Sequence, residues 1–403
     1  MLLGIFTLLT SYLFAQETTG SYDWRDSSLI PSKRLGQHNE FLNNQYNFPA
    51  KPRSQWEVGL KVGTFNIIGD VPSQFPTPGF GVHVRKSLGY VFSLRAEYIY
   101  GMARGVSWKA RTAGLADHWQ NTNPLLGYAG GADYVFDNYK STVQDLSIQG
   151  VFTMNNLRFH KGKTGFVVYA LAGIGGTVYD TKVNVATDAN APHNFSSITN
   201  HNVYKDRRQT IKDVKNLLDG GSYNTEAENE GNARSKLFGK TLRFSRTVGA
   251  GVAIKLSDKL NLALEDRVTM IGDDLLDGVR WQNTGTPATG RVLTPSYDIY
   301  NYLSLGLNIN IGSKTKSVQP LWWLNPLDYA YSELNSPKHM KIPKPVLDDS
   351  DGDGVPDQFD MEPNTPAGAA VDTHGVSRDT DGDGVPDYKD KELITPTICQ
   401  PVD

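Results

Sequence analysis

Cysteine is almost absent from this sequence: Cys399 is the single one in 403 residues. A lone cysteine excludes a disulfide framework within the chain, and with it the class of small secreted scaffolds held together by disulfides. Long apolar runs are missing too, because no stretch reaches the roughly 18 residues of a transmembrane helix. No zinc-ligand spacing, phosphate-binding glycine loop, Ser-His-Asp order or basic stripe interleaved with aromatic residues stands out. The sequence therefore gives no support for an enzyme or for nucleic-acid binding.

Charge is distributed unevenly along the chain. Residues 347–403 contain 15 acidic and 3 basic side chains, a net charge of −12, so the −3 of the whole chain leaves +9 for residues 1–346. We therefore expect the acidic tail and the basic body to be separate regions. Glycine (39), tyrosine (19) and tryptophan (7) are frequent, which favours strands and turns over helix bundles.

Residues 1–15 have the features of a secretory signal peptide. An apolar run that ends at Phe14 is too short to span a bilayer, and the small Ala15 suits a cleavage site. The usual basic start is missing, and a buried N-terminal helix is the alternative. Residues 16–55 are polar and contain three prolines, which predicts an extended N-terminal segment.

Residues 56–312 alternate apolar and polar side chains in eight runs, which predicts eight amphipathic strands. The first apolar residues of these runs are Trp56, Phe80, Tyr90, Leu146, Phe166, Val248, Leu260 and Ile299. Alternation over about ten residues suits strands that are tilted across a bilayer, and the connections alternate between long and short as in outer-membrane barrels. The predicted fold is therefore all-β, with an eight-stranded antiparallel transmembrane β-barrel. A soluble lipocalin-like barrel, whose apolar face would point inward, is the alternative.

The polar faces of the predicted strands carry charges of both signs. The side chains expected to point inward include His83, Arg85, Arg95, Glu97, Asp145, Arg243, Glu265 and Arg267. Eight strands enclose a space that side chains can fill. This favours a salt-bridged plug over an ion path or a buried catalytic cluster.

Aromatic residues fall at positions that suggest two further roles. Near strand ends they are expected to form interfacial girdles: Trp56, Tyr90, Tyr100, Tyr179, Tyr297 and Tyr300. In the long connections 102–141 and 181–240 they are candidates for packing the loops or contacting a partner: Trp108, Trp119, Tyr128, Tyr134 and Tyr139.

Residues 313–346 connect the predicted barrel to the acidic tail. Trp322 and Trp323 suit either the inner membrane interface or a small packed subdomain. Three prolines from Pro337 to Pro345 indicate a stiff spacer. Because an even number of strands returns the chain to its starting side, this segment is predicted to be a periplasmic linker.

A twelve-residue acidic pattern occurs twice in residues 347–403, first at Asp349 and again at Asp379. Each copy has carboxylates at positions 1, 3, 5, 9 and 12, glycine at 6, and a valine at 7 that offers its carbonyl oxygen. This is the ligand spacing of a calcium loop. The candidate ligands are Asp349, Asp351, Asp353, Val355, Asp357, Asp360, Asp379, Asp381, Asp383, Val385, Asp387 and Asp390. An acidic disordered tail, the alternative, would not repeat a spacing, and an EF-hand would need flanking amphipathic helices, which are missing.

The duplicated Asp-x-Asp-x-Asp-Gly-x-x-Asp-x-x-Asp resembles the thrombospondin type 3 repeat at every ligand position. Glu362 and Glu392 stand where some of those repeats carry cysteine. Signal peptide, eight-stranded barrel and repeats together are similar to OmpA-like outer-membrane proteins that carry a calcium-repeat stalk. In that family a peptidoglycan-binding domain follows. This chain stops at Asp403 in what resembles the start of another repeat, so either that domain follows Asp403 or the wall anchor has been lost.

These expectations combine into a structural, non-enzymatic protein of the cell outer membrane. Its stalk would lie in the periplasm, its long loops outside, and Ca²⁺ would stiffen the stalk as a tether to the cell wall or to a periplasmic partner. The expected partners are outer-membrane lipid, calcium, other outer-membrane proteins and, through a domain beyond Asp403, peptidoglycan. The alternatives are an accessory subunit of a larger outer-membrane complex, which contacts partners through its long loops, and a narrow pore.

Overall fold

The structure is a computed structural model that describes residues 22–112, 134–156, 165–189, 191–199, 201–219, 221–227, 234–283, 291–293, 296–330, 346–394 and 396. The predicted signal peptide lies outside the described residues. The chain divides into two units, Met1–Leu334 and Asn335–Asp403, and each is described by itself.

Eight long strands build the first unit. They are β1 (Trp56–Ile68), β2 (Pro78–Ser87), β3 (Phe92–Thr112), β4 (Tyr134–Thr153), β5 (Phe166–Val183), β8 (Lys240–Lys255), β9 (Leu260–Met270) and β12 (Ile299–Ile311). Short strands are β6 (Thr225–Glu226), β7 (Lys236–Leu237), β10 (Trp281–Asn283) and β11 (Arg291–Leu293). The helices are α1 (Leu35–Leu42) and α2 (Arg207–Leu218), with 3₁₀ turns at Ser27–Leu29, Ser32–Arg34, Met154–Asn156, Tyr204–Asp206 and Leu321–Trp323. No helix among the described residues has the length and apolar character to cross a bilayer.

The eight long strands close into a ring. Each pairs antiparallel with its neighbours in the order β1-β2-β3-β4-β5-β8-β9-β12, and β12 pairs back to β1 over its full length, from Trp56 opposite Ile311 to Ile68 opposite Ile299. The pairing of β5 with β8 spans the long segment between them. Closure leaves no long strand with an unpaired edge, and the predicted eight-stranded antiparallel barrel is confirmed.

The two faces of the strands differ sharply. Along β12, buried and exposed residues alternate without a break from Leu303 to Ile311. The outward residues are apolar, and examples are Leu60, Ile148, Ile174, Leu264 and Leu305. The inward residues are largely polar or charged. Because side chains alternate across a strand, this pattern gives an apolar outside and a charged inside, the reverse of a lipocalin-like barrel.

The long connections differ from their predicted extents. Residues 102–112 and 134–141 were expected in a loop but extend β3 and β4, with a register shift between Val106 and Ala110. Beyond β5, the amphipathic helix α2 packs against these extensions, because Val214 and Leu218 join a core with Val106 and Phe136. The connections 88–91, 154–165 and 256–259 lie at one barrel end, and the connections 69–77, 113–133, 184–239 and 271–298 lie at the other. The predicted alternation of short and long connections is present with one exception, because the connection 69–77 is shorter than the connection 154–165.

Residues 22–55 and 313–330 pack together around the barrel end that carries the short connections. Within the expected extended segment, α1 forms, and its Phe41 packs edge-on against Trp24 and Tyr329. The backbone N–H of Gln55 donates to the carbonyl of Val318 at 2.8 Å. Residues 313–330 thus belong to a packed base, and the spacer expected for residues 313–346 does not begin at 313.

The aromatic predictions are only partly right. Trp322 and Trp323 are both 1% exposed and join the core at the base of the barrel, so their placement at the membrane interface is wrong and the packed subdomain is right. Tyr179 and Tyr300 point into the barrel and are buried, so they form no girdle. Trp56 and Tyr297 are exposed, and Tyr90 and Tyr100 are half-buried.

Candidate functional site

Two groups of charged side chains are candidates for function: an ion-pair network inside the barrel and the carboxylate loops of the second unit. At the centre of the network, the Lys61 Nζ on β1 lies 2.5 Å from a Glu97 oxygen on β3 and 2.7 Å from a Glu265 oxygen on β9. Arg95 binds both glutamates, at 3.1 Å and 2.6 Å. All four side chains are nearly inaccessible to solvent.

Arg267 extends this network along the barrel. Its guanidinium lies 2.9 Å from Glu97 and 2.8 Å from Asp145. Asp145 also accepts hydrogen bonds from the hydroxyls of Thr177 and Ser245, both at 2.8 Å. Buried charges of both signs therefore compensate one another, as burial requires.

A second set of contacts lies toward the base. The Glu57 carboxylate lies 3.6 Å from His83 and 3.9 Å from Arg85. The Arg85 guanidinium lies 3.8 Å from the centre of the Trp322 ring, a cation–π distance. Trp322 thus covers the charged interior at the end that carries the short connections.

Seven of the eight predicted inward residues lie buried inside the barrel, and Arg243 is the exception. Its side chain has the inward phase on β8 but is 33% exposed near the barrel end, where it pairs with Asp273 at 2.8 Å. The prediction missed Glu57 and Lys61, although both lie on the polar face of β1. Because the charged groups of the network form ion pairs with one another, the network can stabilise the barrel.

The loop aromatics pack within the unit. Trp108 contacts Tyr204 edge-on, with ring centres 6.1 Å apart, and Tyr134 contacts His201 at 4.4 Å. Tyr139 is fully buried. Trp119 and Tyr128 lie outside the described residues.

In the first carboxylate loop, three side chains converge. Asp349, Asp351 and Asp353 each offer an oxygen, and these atoms lie within 4.8 Å of one another. Asp349 accepts hydrogen bonds from the backbone N–H groups of Gly352 and Gly354, at 2.9 and 3.0 Å. Both glycines have positive φ, 75° and 94°, a conformation that costs other residues energy. The glycines therefore let the backbone wrap around the first carboxylate.

The second loop repeats this geometry. Asp379, Asp381 and Asp383 converge within the same 4.8 Å limit. Gly382 and Gly384 donate to Asp379 at 2.7 and 2.9 Å. The two copies of the pattern, which lie thirty residues apart, thus have the same local structure.

The predicted ligands at position 9, Asp357 and Asp387, lie outside the converging groups. Both oxygens of Asp357 accept hydrogen bonds from Ser350, one from its backbone N–H and one from its hydroxyl, each at 2.7 Å. These bonds lower the pKa of Asp357. Asp387 is engaged in the same way by Thr380. Neither carboxylate belongs to the group of three, and both stabilise their loop through these hydrogen bonds.

The remaining predicted ligands form hydrogen bonds within the loops. Val355 and Val385 donate their backbone N–H groups to Asp353 and Asp383, at 2.8 and 2.9 Å. Asp360 and Asp390 at position 12 each accept from the backbone N–H two residues on, at 2.8 Å. Glu362, at one of the positions where related repeats carry cysteine, accepts the backbone N–H of Ser377 at 2.7 Å.

The first loop also contacts a later turn that sequence reasoning missed. Gly375 has φ 75°, and a Cβ atom there would collide with an Asp360 oxygen and lie 3.2 Å from Asp353 Oδ2. The only signal in the sequence is the short Asp372–Gly375 stretch with its terminal glycine. Gly375 thus brings the position-12 carboxylate beside a member of the converging group.

The loops fit a hard cation. Asp353 Oδ2 and Asp383 Oδ2 are buried and have no hydrogen-bond partner among the described residues. All the converging donors are carboxylate oxygens, the ligands that calcium prefers. A cation between them would satisfy the unpaired oxygens and reduce the repulsion among the carboxylates.

No protein-family model matches the sequence, and no curated protein is detectably similar to it. Several solved structures align with the barrel. The chain is similar to Neisserial surface protein A (9% identity, 65% of this chain and 100% of that chain, TM-score 0.28). It is also similar to the N-terminal β-barrel domain of OprF from Pseudomonas aeruginosa (7%, 64% and 99%, TM-score 0.25) and to Ail, the attachment invasion locus protein of Yersinia pestis (8%, 64% and 99%, TM-score 0.28). Because these scores are low, the barrel assignment rests on the strand pairing described above.

Proposed function

We propose that this chain is an outer-membrane protein whose barrel anchors in the bilayer and whose repeats bind calcium and form a stalk in the periplasm. The stalk would act as a tether to the cell wall or to a periplasmic partner. The proposal assigns no catalytic role to the chain.

The outer face of the barrel supports the membrane part of the proposal. Large apolar side chains such as Leu60 (62% exposed), Leu146 (63%) and Ile174 (60%) face outward. A 13-residue strand such as β12 is about 43 Å long and, tilted by about 45°, rises about 30 Å. This matches the thickness of the hydrocarbon core. In water the same apolar surface would remain exposed at a large cost in free energy.

The topology supports a periplasmic stalk. The first residue of β1, Trp56, pairs with the last residue of β12, Ile311. Both lie at the end with the short connections, which in outer-membrane barrels is the periplasmic end. The chain beyond β12 therefore starts on that side.

The observation that carries the calcium part is the double convergence of three carboxylates, each time with a buried unpaired oxygen. Without a cation, these like charges repel one another. Calcium binding is therefore expected to be coupled to folding of the second unit.

Limited proteolysis of the full chain in detergent micelles tests this coupling. Trypsin is expected to cut after Arg378, between the two loops, slowly in calcium and rapidly after chelation with EGTA. At free calcium about 100 times the Kd, protection of about 100-fold is expected, because the ion stabilises the folded unit by about 2.7 kcal/mol. A substrate protein that does not bind calcium, digested in the same samples, serves as the reference for trypsin activity and is expected to change little.

A matched pair of glycine variants makes the test specific. Gly375→Ala introduces a Cβ that collides with Asp360, whereas Gly368→Ala, with φ 89°, meets no neighbouring atom. Both carry the cost of positive φ, about 1–2 kcal/mol. Only Gly375→Ala is expected to lose calcium protection. Equal effects of the two variants, or cleavage at Arg378 that ignores EGTA, would contradict the calcium stalk.

A further inference from the structure

Two buried carboxylates of the first unit lie at the barrel end that carries the long connections. Asp277 and Asp298 are 0% and 1% exposed. Asp277 accepts the backbone N–H groups of Val71 and Val279, both at 2.9 Å. Asp298 Oδ2 accepts those of Leu276 and Asp277, at 2.8 and 3.2 Å. The pair therefore joins the connection after β1 to the connection between β9 and β12.

One oxygen from each carboxylate faces the same point, next to Gly69. A Cβ atom on Gly69 would collide with Asp298 Oδ1 and lie 2.6 Å from Asp277 Oδ2. Asp298 Oδ1 is buried and has no hydrogen-bond partner among the described residues. A nine-tenths-buried carboxylate thus directs an unsatisfied oxygen toward a second carboxylate.

The surroundings add negative charge to this pair. The negative charge of Asp70 raises the pKa of Asp277, and that of Asp274 raises the pKa of Asp298. Both carboxylates also interact electrostatically with Tyr139. Two cations at this barrel end, Arg234 and Arg243, are bound by Asp273. Burial and the neighbouring acids raise the pKa of Asp277 to about 7 and that of Asp298 to about 9. Without a cation the pair therefore retains a proton at neutral pH, and ionisation of both groups needs a compensating cation.

We propose that Asp277 and Asp298 form a calcium site within the connection between β9 and β12, beside the connection after β1, to which Asp277 is hydrogen-bonded through Val71. Both converging donors are carboxylate oxygens, which hard divalent cations prefer. Backbone N–H groups satisfy Asp277 Oδ1 and Asp298 Oδ2 and fix the orientation of both side chains. Of the two converging oxygens, Asp277 Oδ2 accepts one hydrogen bond, from the N–H of Val71, and Asp298 Oδ1 accepts none among the described residues. The site is independent of the repeat loops and of the stalk proposed above.

Equilibrium dialysis of the full chain in detergent micelles, with radioactive calcium at about 1 mM, tests the proposal. A repeat variant, Asp351→Ala/Asp353→Ala/Asp381→Ala/Asp383→Ala, removes two carboxylate ligands from each repeat loop. It is expected to retain about one calcium ion per chain. Adding Asp298→Asn is expected to weaken that remaining binding at least about tenfold. Asp219→Asn, at an exposed acid that follows α2, serves as the matched control and is expected to change nothing.

The outcomes separate the two calcium proposals. A repeat variant that binds no calcium overturns the proposed site at Asp277 and Asp298 and leaves the stalk proposal intact. Undiminished binding after Asp298→Asn also overturns it, because the substitution removes one of the two negative charges of the site, while the asparagine amide can still donate a hydrogen bond to Asp277 in place of a shared proton. Magnesium in place of calcium at this site overturns the assignment of the ion. If the combined variant fails to fold, the calcium content of the repeat variant and that of Asp298→Asn alone still show whether Asp298 contributes to a calcium site.

Discussion

At the scale of single residues, the interior of the barrel is a balanced set of charges. Lys61, Arg95 and Arg267 face Glu97, Glu265 and Asp145, and every member contacts at least one opposite charge. Taking such groups out of water is costly, so the arrangement is favourable only as a complete set. Loss of one carboxylate leaves the buried set with one positive charge in excess.

Glu265→Gln tests this dependence. The substitution keeps the size of the side chain but removes the charge that binds Lys61 and Arg95. The free energy of unfolding is expected to fall by about 3–5 kcal/mol, as for a broken buried ion pair. Urea unfolding of the barrel in vesicles, followed by tryptophan fluorescence, measures the change.

The control for this substitution is Asp258→Asn in the surface pair with Lys255. Asp258 is 66% exposed, so its loss is expected to cost about 1 kcal/mol or less. If both substitutions had the same small effect, the interior network would contribute little to stability.

At the scale of elements, each barrel strand separates two environments. β12 shows this most simply: Leu303, Leu305 and Leu307 face outward, while Ser304 and Asn308 are buried inside. A shift of one residue in register would exchange the two faces. The outward face is therefore the surface that meets lipid if the barrel lies in a membrane.

Leu305→Arg tests the lipid contact. Leu305 is the middle residue of β12 and 47% exposed, so a charge there would lie near the bilayer centre. Insertion into lipid vesicles is expected to become less favourable by about 2–4 kcal/mol. Folding titrations into vesicles of phosphatidylcholine measure it.

Leu393→Arg is the matched control, because Leu393 is 55% exposed in the second unit. It is expected to leave insertion unchanged. A Leu305→Arg protein that inserts as well as the control would argue for a barrel that does not contact lipid.

At the scale of the whole first unit, the barrel is a filled cylinder. Charged side chains occupy its middle, Trp322 and Trp323 pack at one end, and Asp277 with its neighbours packs at the other. The described side chains thus fill the space that eight strands enclose. The narrow-pore alternative is therefore not supported.

Planar bilayer recordings test this view. The full chain is expected to give no discrete conductance steps under conditions in which a porin, recorded in parallel, gives them. Reproducible steps from the purified chain would show that water and ions pass the ion-pair network, and would restore the pore alternative.

The sequence by itself determined the features that depend on near neighbours in the chain. Alternation of apolar and polar residues has a period of two, so it set the number of long strands and the outward face of most of them. The spacing of Asp349, Asp351 and Asp353 around Gly352 and Gly354 likewise set the local form of the repeat loop. Such patterns can be recognised in the sequence because the residues that produce them lie within about a dozen positions of one another.

Only the tertiary structure decided the features that depend on closure of the ring. Glu97 meets Arg267 across 170 positions of the chain, and no local pattern specifies that pairing. Tyr300 looked like an interfacial residue, but its inward phase on β12 buries it. Asp277 and Asp298 became neighbours because the connections around them fold into one barrel end. Closure determines which inward side chains share a space, and burial then makes the pairing of their charges obligatory.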